Sequence, residues 1–268
     1  MKLRWRPIAG IVLRQAYLLR SSPARLLPTF AWVAVDIVLW GFIARYLNVL
    51  DNRGLDFVAQ LLGAVLFWDF FARVMQGVTV AFFEDVWSRN FLNVFATPLS
   101  IGQYITGLVL TSLGTSLIGL TAMVLTAAAF GLSLPLSAAQ LLQYALVLFG
   151  FGTALGICAC ALVLRFGPAS EWLVWPIPAL LSPFAGVFYP LSTLPGWMQW
   201  IGRLMPPSYV FEELRALLAG QAGSPYATPI ALSLAALQVM LALGLFVRVH
   251  RHAVRSGLLA RYSAESVA

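Results

Sequence analysis

The chain has 268 residues, of which 60% are hydrophobic and 10% charged, and a formal net charge of +7. Soluble globular chains carry about 25% charged residues, so a water-covered surface is excluded and lipid is the fitting solvent, with no room for a sizeable soluble domain beside one membrane domain. The basic balance is first a topology signal, because cytoplasmic loops of membrane proteins are enriched in Lys and Arg; no soluble segment interleaves aromatic and basic residues as nucleic-acid binding would require.

Residues 1–26 form a basic arm with Lys2, Arg4, Arg6, Arg14, Arg20 and Arg25. Trp5, Ile8, Ile11, Val12 and Tyr17 give it enough apolar surface for a helix lying on the cytoplasmic face of the membrane; a poorly ordered tail is the alternative. Arg14 and Arg20 break the apolar run, so it lacks the pattern of a cleavable signal. The membrane domain, 27–268, then unfolds as six predicted spans, each at or above the ~20 residues that cross a bilayer except where prolines intervene. Span one is Leu27 to Leu47, followed by a turn from Asn48 to Leu55 that holds Asp51, Asn52, Arg53 and Gly54. Span two, Asp56 to Phe83, exceeds a ~30 Å core and must tilt or project into the cytoplasm.

Between Glu84 and Ser100 lies the longest polar interruption on that side. Phe83, Trp87, Phe91 and Phe95 recur every fourth residue, which places them on one face of one helix, and Thr97-Pro98 stops it. Such an amphipathic helix either docks into a groove on a partner protein or rests on lipid. Span three is Ile101 to Gly131, opened by a Ser100–Gln103 capping box. A short loop, Leu132 to Ser137, leads to span four, Ala138 to Leu164. Here Gly152 and Gly156 make one G-x-x-x-G, a weak dimer-contact signal. Cys158 and Cys160 point about 200° apart on a helix and cannot share a metal or a disulfide; they are small buried apolar residues.

After the turn Arg165 to Ser170, span five covers Glu171 to Tyr189 and is interrupted by Pro176, Pro178 and Pro183. Segment 190–225 predicts two short helices, Pro195–Leu204 and Ser208–Leu218, the second capped by Ser208 and stopped by Gly220. Neither is long enough to cross. Trp197, Trp200 and Tyr209 suit a membrane–water interface, so the pair forms either a lid over an exit path or a passive surface cap. Span six is Tyr226 to Val247, and a basic tail follows with Arg248, Arg251, Arg255 and Arg261. With the N-terminus inside, the cytoplasmic segments hold 12 of the 17 basic residues, so both termini are expected in the cytoplasm.

Three intramembrane charges stand out. Asp69 and Arg73 are four residues apart and predicted to pair on one helix; Asp36 sits at a similar depth on span one, within reach of Arg73. Each costs roughly 2.5–3.5 kcal/mol near mid-bilayer, so partners are expected. They either line a translocation path or form a structural ion pair. No phosphate-binding G-x-x-x-x-G-K-[ST] occurs and the only lysine is Lys2, so this chain is not expected to hydrolyse ATP by that route. His250 and His252 both lie in the basic tail, away from any Ser/His/Asp arrangement, and no metal-ligand spacing appears. No catalytic, cofactor or metal residue is assigned.

The run EDVWSRNFLNVFATPLSIGQYITG (84–107) resembles the segment after the second span of ABC-2 type permeases. There an acidic–aromatic cytoplasmic helix precedes a T-P-L-S-like turn. FYPLSTLPGWMQWIGRLMPPSYVFEELRALLAG (188–220) is similar to the same family's signature before its last span. The resemblance covers nearly the whole chain. It implies an all-α permease that pairs as a dimer in a bacterial inner membrane and binds two cytoplasmic ABC ATPase subunits, which would carry the ATP and Mg. The arm would match the family's connecting helix, and 84–98 its coupling helix. Trp87, Phe91 and Phe95 would anchor the ATPase, with Glu84, Asp85 and Arg89 orienting it. The outer re-entrant segment would shape an exit gate from Phe188, Tyr189, Pro195, Trp197 and Arg215. The family exports polysaccharides, lipids, drugs and other hydrophobic compounds, with a haem-related branch also proposed. A hydrophobic, lipid-linked or glycan-type cargo is therefore expected. Alternatives from other classes are a proton-coupled secondary transporter using Asp36, Asp69 and Arg73, and an intramembrane lipid-modifying enzyme, for which no convergent set of His, Asp or Glu is found.

Overall fold

A computed structural model describes residues 5–21, 23–50, 58–88, 90–129, 131 and 136–257, without the side chains of 23–30, 32, 33, 91, 92 and 95. Arg89, Arg53, Lys2, Arg4 and Arg261, with most of the two predicted loops at 51–55 and 132–135, lie outside the described residues, as does the Arg25 side chain. The described backbone is helical throughout its regular elements, with no strand among them. The helices are α1 (Trp5–Ser21), α2 (Pro23–Leu50), α3 (Gly63–Trp87, preceded by a π-turn Val58–Leu62), α4 (Phe91–Ala96), α5 (Ile101–Ala129), α6 (Ala138–Phe166), α7 (Ile177–Ala185), α8 (Gly196–Arg203), α9 (Pro206–Leu218) and α10 (Ala227–Arg255).

Four of them are long and apolar enough to cross a membrane: α3 with its π-turn, α5, α6 and α10. Their burial ranks them. Inside the fold lies 67% of the apolar window of α3 and of α6, but only 22% of that of α10. α3 is therefore axial together with α6, apolar on nearly every side, as a helix surrounded by other helices must be. Two stacked cores run along it. One gathers Ile37, Phe67, Phe71, Phe151 and Phe211 around its π-turn end; the other gathers Phe82, Phe83, Tyr104 and Phe246 around its Trp87 end.

The glycines of α6 set the α3–α6 spacing. A Cβ on Gly152 would stand 2.8 Å from Val74 Cβ and 2.9 Å from the Phe71 carbonyl oxygen; one on Gly156 would stand 2.8 Å from Val78 Cβ. Backbone oxygen cannot yield to a side chain, so only glycine permits this approach. The G-x-x-x-G thus serves close packing of α6 on α3 within the chain, so the weak dimer-contact signal it carried is accounted for by an internal neighbour.

Element ends show where local chemistry governs. α5 opens on the predicted capping box: Ser100 N–H donates to Gln103 Oε1 at 3.0 Å and Gln103 N–H to Ser100 Oγ at 3.3 Å. Ser137 and Gln140 build a second such box at the start of α6. α9 begins two residues before the predicted Ser208 cap, with Pro206 and Pro207 in its first turn, where a missing N–H costs nothing; Ser208 is buried with its hydroxyl oxygen partnerless. α10 carries its helix through His250, His252 and Arg255, so Arg248, Arg251 and Arg255 of the expected basic tail lie on the last two turns of a helix.

Two predicted single elements are divided. Span five is a 3-10 turn (Pro168–Leu173) and the nine-residue α7, which ends on Gly186 at φ 61. Nine residues rise about 14 Å, less than half a hydrocarbon core, and proline removes the donors that would have continued the helix. The helix expected over 84–98 is likewise broken. α3 stops at Ser88, whose hydroxyl donates to the Glu84 carbonyl at 2.6 Å while Asn90 N–H reaches back to Asp85 O. Serine competes for backbone partners in this way, and α4 starts afresh at Phe91. Trp87 and Phe91 therefore do not share a continuous helical face.

Candidate functional site

At the Trp87 end of α3 the N-terminal helix is locked into the fold. α1 places Arg14 in an ion pair with Asp85, and Tyr104 Oη on α5 donates to the same carboxylate at 2.8 Å. Asp85 is 1% exposed. One turn away Gln15 Nε2 donates to the Ala81 carbonyl at 3.2 Å, and Ile11 seats against Gly107, whose missing Cβ leaves room for it. α1 is thus a packed element of the bundle and not solely a helix lying on lipid. Asp85, expected to orient a partner, has its carboxylate committed within the chain; its neighbour Glu84 stays half-buried at the surface.

Trp87 closes α3 with its ring half exposed. Its indole N–H donates to Glu171 Oε2 at 2.8 Å, tying α3 to the 3-10 turn after α6. Phe83 sits between two indoles, 5.7 Å from Trp87 and 6.3 Å from Trp175 between ring centroids. Beyond it α4 packs Val94 against the core and leaves Asn93 and Ala96 exposed, as are Thr97 and Pro98 after it; the backbone of Phe91 and Phe95 is placed there, and their side chains lie outside the description.

A cavity of about 510 Å³ runs between α1 and the α3–α5 pair. Along α3 its wall extends from Arg73 to Trp87, about 21 Å of helix, and from α5 it takes Thr111 and Thr115. Arg73 lies across α5 at Gly119, where a Cβ would stand 3.0 Å from Arg73 Cδ. Asp36 and Asp69 both act on the guanidinium through their charge. Yet Asp69 Oδ2 and Arg73 Nε are each buried without a hydrogen-bond partner, so the predicted pairing is not closed through these atoms.

The other end is a hairpin of short elements held by one cation. Arg215 Nη1 donates to the Gly186 and Val187 carbonyls at 2.7 and 3.3 Å, and Nη2 to Glu212 Oε1 at 3.0 Å. Glu212 Oε1 also accepts from Leu191 N–H at 2.7 Å. The fork holds the left-handed turn at Gly186 in place from α9. Phe188 stacks on Trp40 at 4.8 Å, Tyr189 Oη donates to the Pro183 carbonyl at 2.9 Å, and Trp197 meets Phe184 edge-on at 6.1 Å. Pro195 caps α8, while Gln238 of α10 donates to the Leu204 carbonyl at 2.9 Å and ties down its far end. Phe188, Tyr189 and Arg215 thus come together as one unit, with Pro195 and Trp197 one helix away.

Sequence reasoning missed Glu212, Glu171, Gln15 and Tyr104. Glu212 had a usable signal, an acid three residues before Arg215 in an apolar stretch; the other three make contacts between residues distant in sequence, which no local spacing announces. Among the described residues no group of three or more His, Cys, Asp or Glu stands close enough to hold a metal.

Comparison with known families gives a match over most of the chain. The sequence model described as ABC-2 type transporter covers residues 23–219, from the start of α2 past the end of α9. No curated protein matches the chain.

Proposed function

The chain belongs to the ABC-2 type transporter family, and we propose that it is the membrane subunit of an ATP-driven exporter that works as a dimer with a separate cytoplasmic ABC ATPase. Family membership makes it a multi-pass membrane protein and a permease component of an ABC transporter. The proposal adds direction, topology, partner and cargo: both termini in the cytoplasm of a bacterial inner membrane, six crossings, ATP and Mg on the partner, and a hydrophobic, lipid-linked or glycan-type molecule moved outwards. α2, 28 residues long, serves as the first crossing. The 3-10 turn, α7 and the bends to Tyr189 serve together as the fifth.

The observation that carries this reading is α4. A short helix is hinged by Ser88 and Asn90 onto the end of α3, which with α6 is the most buried of the four long apolar helices. A partner pressing on α4 would push an axial helix packed in both cores, so displacement is passed to α5 and α6 and not absorbed in a loop. Trp87 and Glu84, with Arg89, Phe91 and Phe95, are assigned to this coupling region. Asp85 serves it from within, as the anchor that makes α1 move with α3. At the opposite end the Arg215 fork holds the hairpin over the exit.

Purification of the tagged chain from its host in mild detergent tests the reading. The expected result is a stoichiometric P-loop ATPase that is lost when the hinge is made continuous helix by Ser88→Ala with Asn90→Ala. A chain that comes out alone and transports under a proton gradient overturns it and favours the second reading, for which the partnerless oxygen of Asp69 beside Arg73 is the specific support.

A further inference from the structure

We propose that Arg203 is a cargo contact halfway across the bilayer, where it receives a phosphate-type anionic group on an amphiphile in passage. The inference rests on the permease reading and deepens it by fixing the charge of the cargo and a residue that reads it.

Depth comes first. The turn between α8 and α9 is tied to α10 by Gln238, whose Nε2 donates to the Leu204 carbonyl at 2.9 Å. From Ala227 to Val247 α10 carries no charge and rises about 30 Å, the thickness of a hydrocarbon core. Gln238 stands eleven residues along that stretch, about 16 Å from its start, so Leu204 is held near the middle. α7 gives the same depth from the opposite end. Trp175, just before it, packs on Phe83 at the Trp87 end of the bundle, and α7 rises less than half a core. A Cβ on Gly202 would stand 2.7 Å from the carbonyl oxygen of Phe184, close to the end of that rise.

Arg203 lies between Gly202 and Leu204, so its backbone starts from mid-bilayer. Its side chain is too short to snorkel to a headgroup layer about 15 Å away. The residue is exposed, and its guanidinium carbon stands 5.4 Å from the centroid of the Trp200 ring, which leaves its N–H donors unspent. Among the described residues no carboxylate is within ion-pair distance of it. Asp85 holds Arg14 and Glu212 holds Arg215, while Asp36 and Asp69 act on Arg73.

An unpaired cation at this depth is costly in lipid, and intramembrane charges face cavities or partners. A guanidinium binds phosphate oxygens two at a time through its planar fork. A resting phospholipid keeps its phosphate at the headgroup layer, so only a molecule in passage brings one to Arg203. The surroundings fit the rest of such a molecule. Trp197, Trp200, Ile201 and Leu204 are exposed at i, i+3, i+4 and i+7, one face of α8, and offer acyl chains an apolar wall beside the cation.

The test is native mass spectrometry of the full-length permease with three dioleoyl probes: phosphatidic acid, diacylglycerol and a trimethylammonium diacylglycerol. The expected result is retention of phosphatidic acid on the order of tenfold above the other two. Arg203→Gln should bring it close to diacylglycerol, and Arg203→Lys should restore part of the preference. Arg248→Gln, at an exposed arginine near the end of α10, should leave it unchanged. In native membranes Arg203→Cys, with Cys158→Ala and Cys160→Ala, should react with a water-soluble anionic methanethiosulfonate.

A phosphatidic acid preference untouched by Arg203→Gln, or no preference at all, overturns the proposal. So does a cysteine at position 203 that only membrane-soluble maleimide reaches, which would place it against lipid, or one cross-linked between two copies in full yield, which would mean that a second chain covers it. Full displacement of the probe by inorganic phosphate would give the site to a free anion and overturn it too. The assay needs no ATP and no partner, so its failure leaves the permease reading standing, and loss of ATPase co-purification would leave the charge preference standing.

Discussion

The two ends of the bundle solve one problem differently. At the Trp87 end, long helices carry polar side chains deep into the fold and pair them with one another: Arg14 with Asp85, and Tyr104 with the same carboxylate. At the Gly186 end, short helices and turns leave backbone carbonyls exposed to apolar surroundings, and a side chain satisfies them: Arg215 reaches Gly186 and Val187 while Glu212 takes the Leu191 N–H. The first arrangement joins three elements into one rigid block. The second fixes a hairpin whose own backbone ladder is incomplete, as buried backbone groups require. A machine that transmits force at one end and opens at the other would be built in this way: side chain to side chain where elements must move together, side chain to backbone where one fork releases a whole hairpin.

Substitutions sharpen the contrast, beginning with the largest effect. Asp85→Leu leaves the buried Tyr104 hydroxyl without its acceptor and the one-third-exposed Arg14 without its ion pair, and is expected to cost about 2–4 kcal/mol. Thermal unfolding in detergent should show this as a loss of cooperativity involving α1. The triple change Arg14→Met, Asp85→Leu, Tyr104→Phe, which removes all three partners, should recover most of it. Arg215→Leu removes charge-assisted hydrogen bonds worth about 1.5–3 kcal/mol. Its effect is expected to stay local: hydrogen exchange should rise across 186–204 and remain unchanged at Asp85. If both variants loosen the whole bundle equally, the distinction between block and hairpin is lost.

Two smaller effects test the frame between the ends. Gly152→Ala forces a methyl group against Val74 and the Phe71 carbonyl, and such overpacking costs about 1–3 kcal/mol; dimerisation should be unaffected, because the glycine faces α3. Trp87→Phe keeps the ring against Phe83 and deletes only the donor to Glu171, for about 0.5–1.5 kcal/mol. In a purified complex with the ATPase it should change the ratio of transport to ATP hydrolysed more than it changes thermal stability.

Much of this was legible before any coordinates. Apolar runs marked α3, α5, α6 and α10 to within a few residues at most ends, and Ser100 with Gln103 announced the start of α5, because length and capping are local properties. Where reading failed, a competing local bond or a distant partner decided. The four-residue recurrence of Trp87, Phe91 and Phe95 suggests one helix, but the Ser88 hydroxyl turns on the Glu84 carbonyl and the Asn90 backbone N–H on the Asp85 carbonyl, and the helix ends there. Gly152 and Gly156 were visible as a small face; which helix they met was not, since that is set by tertiary packing. Arg14 reads as one more basic residue of a cytoplasmic arm until Asp85, 71 positions later, is seen beside it. Asp36, Asp69 and Arg73 were found by the cost of charge in lipid, and their incomplete pairing is a fact of geometry that spacing alone does not give.

The central claim is that α4 is where a separate ATPase drives this permease. A photo-cross-linking amino acid at Asn93, exposed on α4, tests it most directly in membranes of the native host. The account predicts a cross-link to a P-loop ATPase that strengthens or weakens with the nucleotide supplied. A residue-93 cross-link to lipid alone, with active transport continuing, would contradict it.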